Sequence, residues 1–339
     1  MKRSAHALIC VTSKIAVDKL HDSVRMWPEI QGPLPLLYVL AEVLMSKENG
    51  IPAVSVKRIE ADGVDVFYRE AGAPDAPVVL LLHGFPSSSH MYRELIPRLA
   101  ASYRVIAPDF PGFGFTNVPP ERAYKYSFDT LTETMDAFVN KLGLKKYAVY
   151  VFDYGAPVGL RLAVKHPERI TALISQNGNA YEEGLGDAWG PIRKYWAEPS
   201  AANRKVVHDA ILNFDGTKFQ YVHGVSNPDS IAPESYTLDA ALLERPGQKD
   251  IQMDLFLDYA SNLKLYPAFQ KFFREAKPPT LAIWGKNDPF FTPPGAQAYR
   301  RDNPDAVVKM LDTGHFALET HGEEIAREMN AFLAKHLRA

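Results

Sequence analysis

Three residues of this chain could together act as a nucleophile, an acid and a base. Asp153 follows the apolar run Y-A-V-Y-V-F and precedes Tyr154 and Gly155, where a helical pattern begins. Asp288 lies in W-G-K-N-D-P and His315 in T-G-H-F, each just after a short apolar run. A carboxylate can attack carbon to form an ester, and an imidazole oriented by a second carboxylate can then activate water. This set predicts hydrolysis through a covalent ester on Asp153.

Each member of the set also has an ordinary structural interpretation. Asp is a preferred residue at helix N-caps, and most histidines, of which this chain has 10, are packing or surface residues. The chain order of nucleophile, acid and histidine, however, is the order found in enzymes with a nucleophile elbow. No G-x-S-x-G motif occurs in the chain, so the sequence favours an Asp nucleophile over a Ser nucleophile.

The loop H-G-F-P, residues 83–86, follows another apolar run and predicts an oxyanion hole. In elbow enzymes, one backbone N–H of this loop and the N–H of the residue after the nucleophile bind the oxyanion. Here these are the amides of Phe85 and Tyr154. Acidic residues and histidines show no clustered metal-ligand spacing, so the sequence predicts neither a metal nor a cofactor.

A regular alternation of strands and helices positions these residues. Strands are predicted at residues 54–59, 64–69, 78–82, 104–107, 147–152, 170–175, 280–284 and 307–311, and helices at 89–101, 128–142, 156–166, 295–302 and 323–337. The first two strands are joined by Asp62-Gly63, a hairpin signal. Continuous apolar strands separated by helices predict an α/β fold with a mostly parallel central sheet flanked by helices. The chemistry of such a sheet lies beyond the carboxyl ends of its strands.

The pattern also predicts how the chain is divided. Residues 45–178 and 269–339 are expected to form the two parts of the core, and residues 179–268, rich in aromatic residues and proline, an inserted and mainly helical cap. Residues 1–44 are expected to be an N-terminal extension that the domain could lack. The alternative is a helix that binds a membrane surface or a partner, with an apolar face of leucines (Leu36, Leu37, Leu40, Leu44).

Composition excludes several classes of protein. A net charge of -2 gives no electrostatic footprint for nucleic acid or an anionic membrane. The single cysteine, Cys10, excludes an internal disulfide and a Cys-based zinc site. The apolar run at 33–45 is shorter than the ~20 residues that a transmembrane helix needs. With no clear secretory signal, the sequence favours a cytoplasmic protein that binds a small-molecule substrate, and it leaves the oligomeric state open.

Five motifs in order resemble those of the α/β-hydrolase superfamily, in the branch that contains epoxide hydrolases and haloalkane dehalogenases. They are H-G-F-P, A-P-D-F-P-G-F-G (107–114), V-F-D-Y-G, W-G-K-N-D-P and T-G-H-F, and the resemblance covers about residues 52–337. It implies an α/β-hydrolase fold with Asp153, Asp288 and His315 as catalytic residues.

Epoxide hydrolases of this branch protonate the opening ring with tyrosines of the cap. The segment L-D-Y-A-S-N, residues 257–262, resembles the place of one such tyrosine, which implies that Tyr259 is catalytic. A second tyrosine is expected near residues 192–199. The nearest candidate there is Tyr195, although it is displaced by about one helical turn.

The dehalogenases of this branch differ at two positions. They usually carry Asn after H-G and Trp after the nucleophile, whereas this chain has Phe85 and Tyr154. The resemblance therefore favours an epoxide hydrolase. A haloalkane or haloacid dehalogenase with the same triad stays open as an alternative, with Trp189 or Trp196 as halide donors, and so does a ligand-binding protein on this fold without turnover.

Overall fold

A computed structural model describes residues 52–337 of the chain. The proposed extension at 1–44, the leucine-rich helix within it and Cys10 lie outside the described residues. Within residues 52–337 the chain forms eight strands: β1 (Ser55–Ala61), β2 (Val64–Ala71), β3 (Val78–Leu82), β4 (Arg104–Pro108), β5 (Tyr147–Phe152), β6 (Ile170–Gln176), β7 (Thr280–Gly285) and β8 (Val307–Leu311). Every predicted strand is present.

The strands form one sheet in the order β1-β2-β4-β3-β5-β6-β7-β8. The β1–β2 and β2–β4 pairs are antiparallel, and all other neighbours are parallel. The predicted hairpin at Asp62-Gly63 is confirmed, since Asp62 and Gly63 both adopt the positive φ that tight hairpin turns need. The carboxyl ends of β5, β6 and β7 lie side by side, so residues that follow them meet at one edge.

Helices separate the later strands of the sheet. In the described part of the chain they are α1 (Leu95–Leu99), α2 (Phe128–Lys141), α3 (Gly155–Lys165), α4 (Gly190–Ala197), α5 (Ala201–Ile211), α6 (Phe214–Val222), α7 (Pro233–Leu243), α8 (Gln248–Asp258), α9 (Ala260–Ala276), α10 (Pro293–Asp302) and α11 (Ala317–His336). Among these residues, no helix combines the length and the apolar character that a bilayer span requires.

Two of the predicted helices differ from the observed ones. The helix expected at 89–101 is a 3-10 turn, Ser89–Tyr92, followed by the short α1. The helix expected from residue 323 begins earlier, at Ala317, but its backbone is non-helical at His321 (φ -123°). The break separates a first turn, in which Ala317 and Leu318 are buried, from the helix that the sequence predicts.

Both faces of the sheet are buried, as the continuous apolar strands predict. Leu80 and Leu82 of β3 pack in one core cluster with residues of α2, whereas Val79 and Leu81 pack in a second cluster with residues of α1 and α11. Successive side chains of a strand point to opposite faces, so an apolar run of this kind requires cover on both sides. The α/β-hydrolase architecture predicted from the sequence is confirmed.

The helices α4–α8 lie between β6 and β7 and form the cap. Tyr221 of α6 stacks on Phe316 with ring centroids 3.8 Å apart. Arg93 donates hydrogen bonds to Ser235 of α7 (2.9 Å) and to Glu319 of α11 (2.8 Å). These contacts join the cap to the core. The boundary expected at 268–269 falls inside α9, and the domain limits stay a prediction.

Candidate active site

Asp153 lies at the sharp turn between β5 and α3. Its φ of 47° is in the left-handed region, which costs energy for any residue other than glycine. Gly155 makes the turn possible, because a Cβ there would lie 2.1 Å from the Leu82 carbonyl oxygen. Val151 is larger than is usual two places before the elbow residue. It fits because Gly159 has no side chain, and a Cβ on residue 159 would lie 2.5 Å from Val151 Cγ1. The elbow therefore depends on close helix–strand packing.

The Asp153 carboxyl is buried, with 6% of the residue exposed. Burial raises the pKa of this carboxyl to about 6, against the charge of His315 and the amides of Phe85 and Tyr154, which lower it. The backbone N–H of Phe85 donates to Asp153 Oδ1 at 2.6 Å. Both predicted oxyanion-hole amides thus face the carboxyl group of Asp153.

The H-G-F-P loop is fixed in place by two features. Burial lowers the pKa of His83 to about 3, so its ring stays neutral, and its Nε2 accepts a hydrogen bond from the Phe110 amide (2.9 Å). A Cβ on Gly84 would lie 2.3 Å from Asp153 Oδ1. The loop can approach the carboxylate this closely only because residue 84 has no side chain.

His315 lies between the two carboxylates. Its Nδ1 is 2.7 Å from Asp288 Oδ2, and its Nε2 is 4.0 Å from Asp153 Oδ2. Burial lowers the pKa of His315, but the charge of Asp288, the hydrogen bond to it and the charge of Asp153 raise that pKa by more. Nε2 makes no hydrogen bond to any residue that the structure describes. The imidazole is therefore held at Nδ1, with Nε2 directed to the Asp153 carboxyl.

Asp288 is held by groups that the sequence analysis did not identify. Asn177 donates from Nδ2 to Asp288 Oδ2 at 2.7 Å, and the Phe290 amide donates to Oδ1 at 2.7 Å. Asn177 follows β6 with a φ of 46° and accepts a hydrogen bond from the Gly285 amide (2.9 Å). The polar run S-Q-N-G at a strand carboxyl end was the signal available for it.

Tyr259 lies at the junction of α8 and α9, fully buried beside the turn that carries Asp153. Its ring centroid is 5.7 Å from that of Tyr154 and 4.4 Å from that of Trp189. The geometry of the Tyr259 hydroxyl gives it no well-formed hydrogen bond to a described residue, although the Tyr266 hydroxyl lies close enough to affect the pKa of Tyr259. Burial, with Tyr266 and the charge of Asp153, raises the pKa of Tyr259 well above its usual value. The phenol therefore stays protonated at neutral pH.

A cavity of about 20 Å³ lies against the carboxyl group of Asp153. The residues that line it are mostly apolar: Phe85, Asp153, Tyr154, Trp189, Ile192, Ile211, Gln220, Phe256 and Phe290. Tyr195 is buried on α4 but is not among them, whereas Ile192, one helical turn earlier, is. The position on α4 that faces the cavity therefore carries isoleucine, and a role for Tyr195 stays a prediction.

The two tryptophans considered as halide donors use their N–H groups elsewhere. Trp189 Nε1 donates to the Phe290 carbonyl oxygen at 3.0 Å, and Trp196 Nε1 donates to the Phe256 carbonyl oxygen at 2.7 Å. The Trp189 ring lines the small cavity, and the Trp196 ring stacks on Tyr259 with 3° between the planes. Trp189 thus contributes an apolar wall of the cavity, and Trp196 packs behind it on Tyr259.

In residues 52–337, no group of three or more His, Cys, Asp or Glu side chains is arranged as metal ligands. The ionisable groups in and around the predicted catalytic set include the carboxyls of Asp153 and Asp288, the His315 imidazole and the phenols of Tyr154 and Tyr259. Among them, Asp153 has a pKa raised to about 6, near enough to neutrality for the carboxyl to change charge during a reaction. The arrangement suits nucleophilic attack followed by base-assisted hydrolysis.

Residues 77–322 match the family model described as alpha/beta hydrolase fold. An uncharacterized hydrolase from Saccharomyces cerevisiae is 51% identical over 280 residues, which cover 81% of this chain and 95% of the yeast protein. A cis-3-alkyl-4-alkyloxetan-2-one decarboxylase from Shewanella oneidensis is 27% identical, covering 76% and 82% of the two chains. The crystal structure of haloalkane dehalogenase DbeA from Bradyrhizobium elkani has a TM-score of 0.67 and 24% identity, covering 84% and 98%.

Proposed function

The chain belongs to the α/β-hydrolase family, in the branch with haloalkane dehalogenase relatives, and we propose that it hydrolyses epoxides to vicinal diols through an ester on Asp153. The observation that carries this proposal is the buried Tyr259 phenol next to an Asp nucleophile that faces His315. An epoxide needs these three things: a nucleophile for carbon, an acid for its oxygen and a base for water.

In the first step Asp153 attacks a ring carbon, and the bond from that carbon to the ring oxygen breaks. The oxygen gains negative charge and takes the proton of Tyr259. A raised phenol pKa keeps this proton in place until the much more basic alkoxide develops. The left-handed backbone at Asp153 supports the proposal, because it directs the carboxyl into the cavity.

In the second step His315 removes a proton from water, and the hydroxide adds to the ester carbonyl of Asp153. The amides of Phe85 and Tyr154 bind the resulting oxyanion, and the loss of one such donor typically costs ~100–1000-fold in rate. Collapse of the intermediate breaks the ester, and the departing alkoxide takes its proton from His315. The proton that Asp153 loses on becoming a carboxylate restores the phenol of Tyr259.

Ester formation itself prepares the base for this second step. In the resting enzyme the charge of Asp153 is one of the causes that raise the pKa of His315. The ester carries no charge, so that contribution disappears and the pKa of His315 falls. A neutral imidazole, which accepts protons, then becomes easier to form at neutral pH.

Dehalogenation through the same ester is the second candidate, because several relatives are named haloalkane dehalogenases. A departing halide needs N–H donors rather than a proton. The N–H groups of Trp189 and Trp196 already donate to backbone carbonyls, which speaks against this candidate. Retention of Asp288 and His315 in hydrogen-bonding geometry likewise speaks against a ligand-binding protein without turnover.

The test is to incubate the purified protein with a panel of epoxides and matched haloalkanes. Diol is measured by chromatography and halide by ion-selective electrode. Diol formation that disappears in Asp153→Ala supports the proposal. Halide release without diol formation would favour the dehalogenase. If neither product formed, ligand binding without turnover would be the remaining candidate.

A further inference from the structure

Two cavities adjoin at the base of the cap. The small one, about 20 Å³, reaches Asp153, and a wider one of about 530 Å³ lies between α4, α5 and α6. Both are lined by Ile211, Gln220 and Phe290, so these three residues form the wall between them. A substituent that extends from Asp153 into the wider cavity therefore passes beside Gln220.

Gln220 is unusual among these wall residues because it is polar. It is 4% exposed, and its Nε2 makes no hydrogen bond to any residue in the described part of the chain. Most buried polar groups in folded proteins have a partner. An amide donor buried where two cavities meet is well placed to find its partner on a bound molecule.

The surroundings restrict the chemistry of that partner. The small cavity has no cationic side chain among its described lining residues, which disfavours a carboxylate or phosphate on the substrate. The wider cavity is lined mainly by apolar residues, such as Val207, Ala210 and Phe219, with Asp215 as its charged member. A neutral acceptor near the reacting carbon, followed by an apolar tail, fits both cavities.

We propose that Gln220 determines specificity by donating a hydrogen bond from Nε2 to a neutral oxygen in the substituent of a terminal epoxide. This inference rests on the proposed epoxide hydrolysis. The narrow space at Asp153 takes the unsubstituted ring carbon, the ether or carbonyl oxygen lies beside Gln220, and the apolar tail occupies the wider cavity. Alkyl glycidyl ethers have this chemistry.

The test uses two substrates that differ by one atom, butyl glycidyl ether and 1,2-epoxyoctane, in which a CH₂ group replaces the ether oxygen. The measured quantity in each protein is the kcat/KM for butyl glycidyl ether divided by the kcat/KM for 1,2-epoxyoctane. We expect Gln220→Leu and Gln220→Met to lower this ratio about 3- to 10-fold, as for the loss of one neutral hydrogen bond. Comparing ratios cancels the difference in intrinsic reactivity between the two epoxides.

Gln297→Leu, a change at an exposed residue of α10, is the matched control and should keep the wild-type ratio. Turnover of 1,2-epoxyoctane by the Gln220 variants reports that they fold. An unchanged ratio in active Gln220 variants would overturn the specificity role and leave the proposed function intact. Failure of the wild-type protein to open either epoxide would overturn both.

Discussion

Replacing Tyr259 with Phe removes one hydroxyl and leaves the ring, so it separates acid catalysis from packing. The ring contacts with Tyr154 and Trp189 are kept. The Tyr266 hydroxyl beside that of Tyr259 keeps a hydrogen bond from Asn179 Nδ2 (3.3 Å), so the loss leaves the Tyr266 hydroxyl paired. We therefore expect the variant to be about as stable as the wild-type protein.

The magnitude follows from the position of the phenol beside the nucleophile. General acid catalysis by a positioned side chain typically contributes ~100- to 10,000-fold, or about 3–5 kcal/mol in the barrier. On α4 the cavity beside Asp153 is lined by Ile192 and not by a tyrosine, so α4 offers no second phenol to compensate. The expected loss in the epoxide-opening step is therefore at the upper end of this range.

The assay is single-turnover kinetics of ester formation on an epoxide and on a matched haloalkane, which needs no proton. Tyr259→Phe should slow the epoxide reaction strongly and any haloalkane reaction only slightly. Tyr195→Phe is the matched control, because Tyr195 is also buried in the cap, whereas Tyr259 is the tyrosine whose ring packs on Tyr154 beside Asp153. Equal losses for both substrates, or a larger loss in Tyr195→Phe, would refute the role of Tyr259.

Three further predictions concern the other groups of the site. His315→Gln should form the ester and accumulate it on Asp153, which intact-protein mass spectrometry and peptide mapping would detect, and Asp288→Asn should accumulate less of it. Steady turnover in His315→Gln without an adduct would contradict the role of His315 as the base. Attack requires ionised Asp153, so kcat/KM for the epoxide should rise as the pH rises through about 6, the raised pKa of that carboxyl. A flat profile down to about pH 4, near the ordinary pKa of Asp, would contradict the raised pKa of Asp153. Gly84→Ala should abolish turnover because its methyl group would lie 2.3 Å from Asp153 Oδ1. Gly190→Ala, with open space around its Cβ, should keep turnover. An active Gly84→Ala protein would show that turnover does not require the close approach of residue 84 to Asp153.

The sequence predicted the parts of the molecule that local pattern determines. Apolar runs gave the strands, and the motif order gave Asp153, Asp288 and His315, because parallel strands bring their carboxyl ends to one edge. The amides of Phe85 and Tyr154 followed from the same argument. Each of these groups is fixed by the backbone of a turn, which short motifs describe well.

Other features depend on contacts between distant segments and escaped sequence reasoning. Asn177 binds Asp288 across 111 positions of sequence, and no local motif encodes that pairing. On α4 the cavity is lined by Ile192 and not by Tyr195, because which face of a cap helix meets the cavity is decided by tertiary packing. The bonded indole of Trp189 could not be foreseen either, because its acceptor is a backbone carbonyl 101 positions away.

The central claim is that hydrolysis passes through an ester on Asp153. It is tested most directly by single turnover of an epoxide substrate in ¹⁸O-labelled water, followed by mass spectrometry of the peptide that contains Asp153. Water that attacks the ester carbonyl leaves its oxygen in the Asp153 carboxylate, so that peptide should become heavier by the label while the first diol released stays unlabelled. An unlabelled Asp153 peptide with the label in the diol would mean that water attacks the epoxide carbon directly, and it would contradict the covalent mechanism.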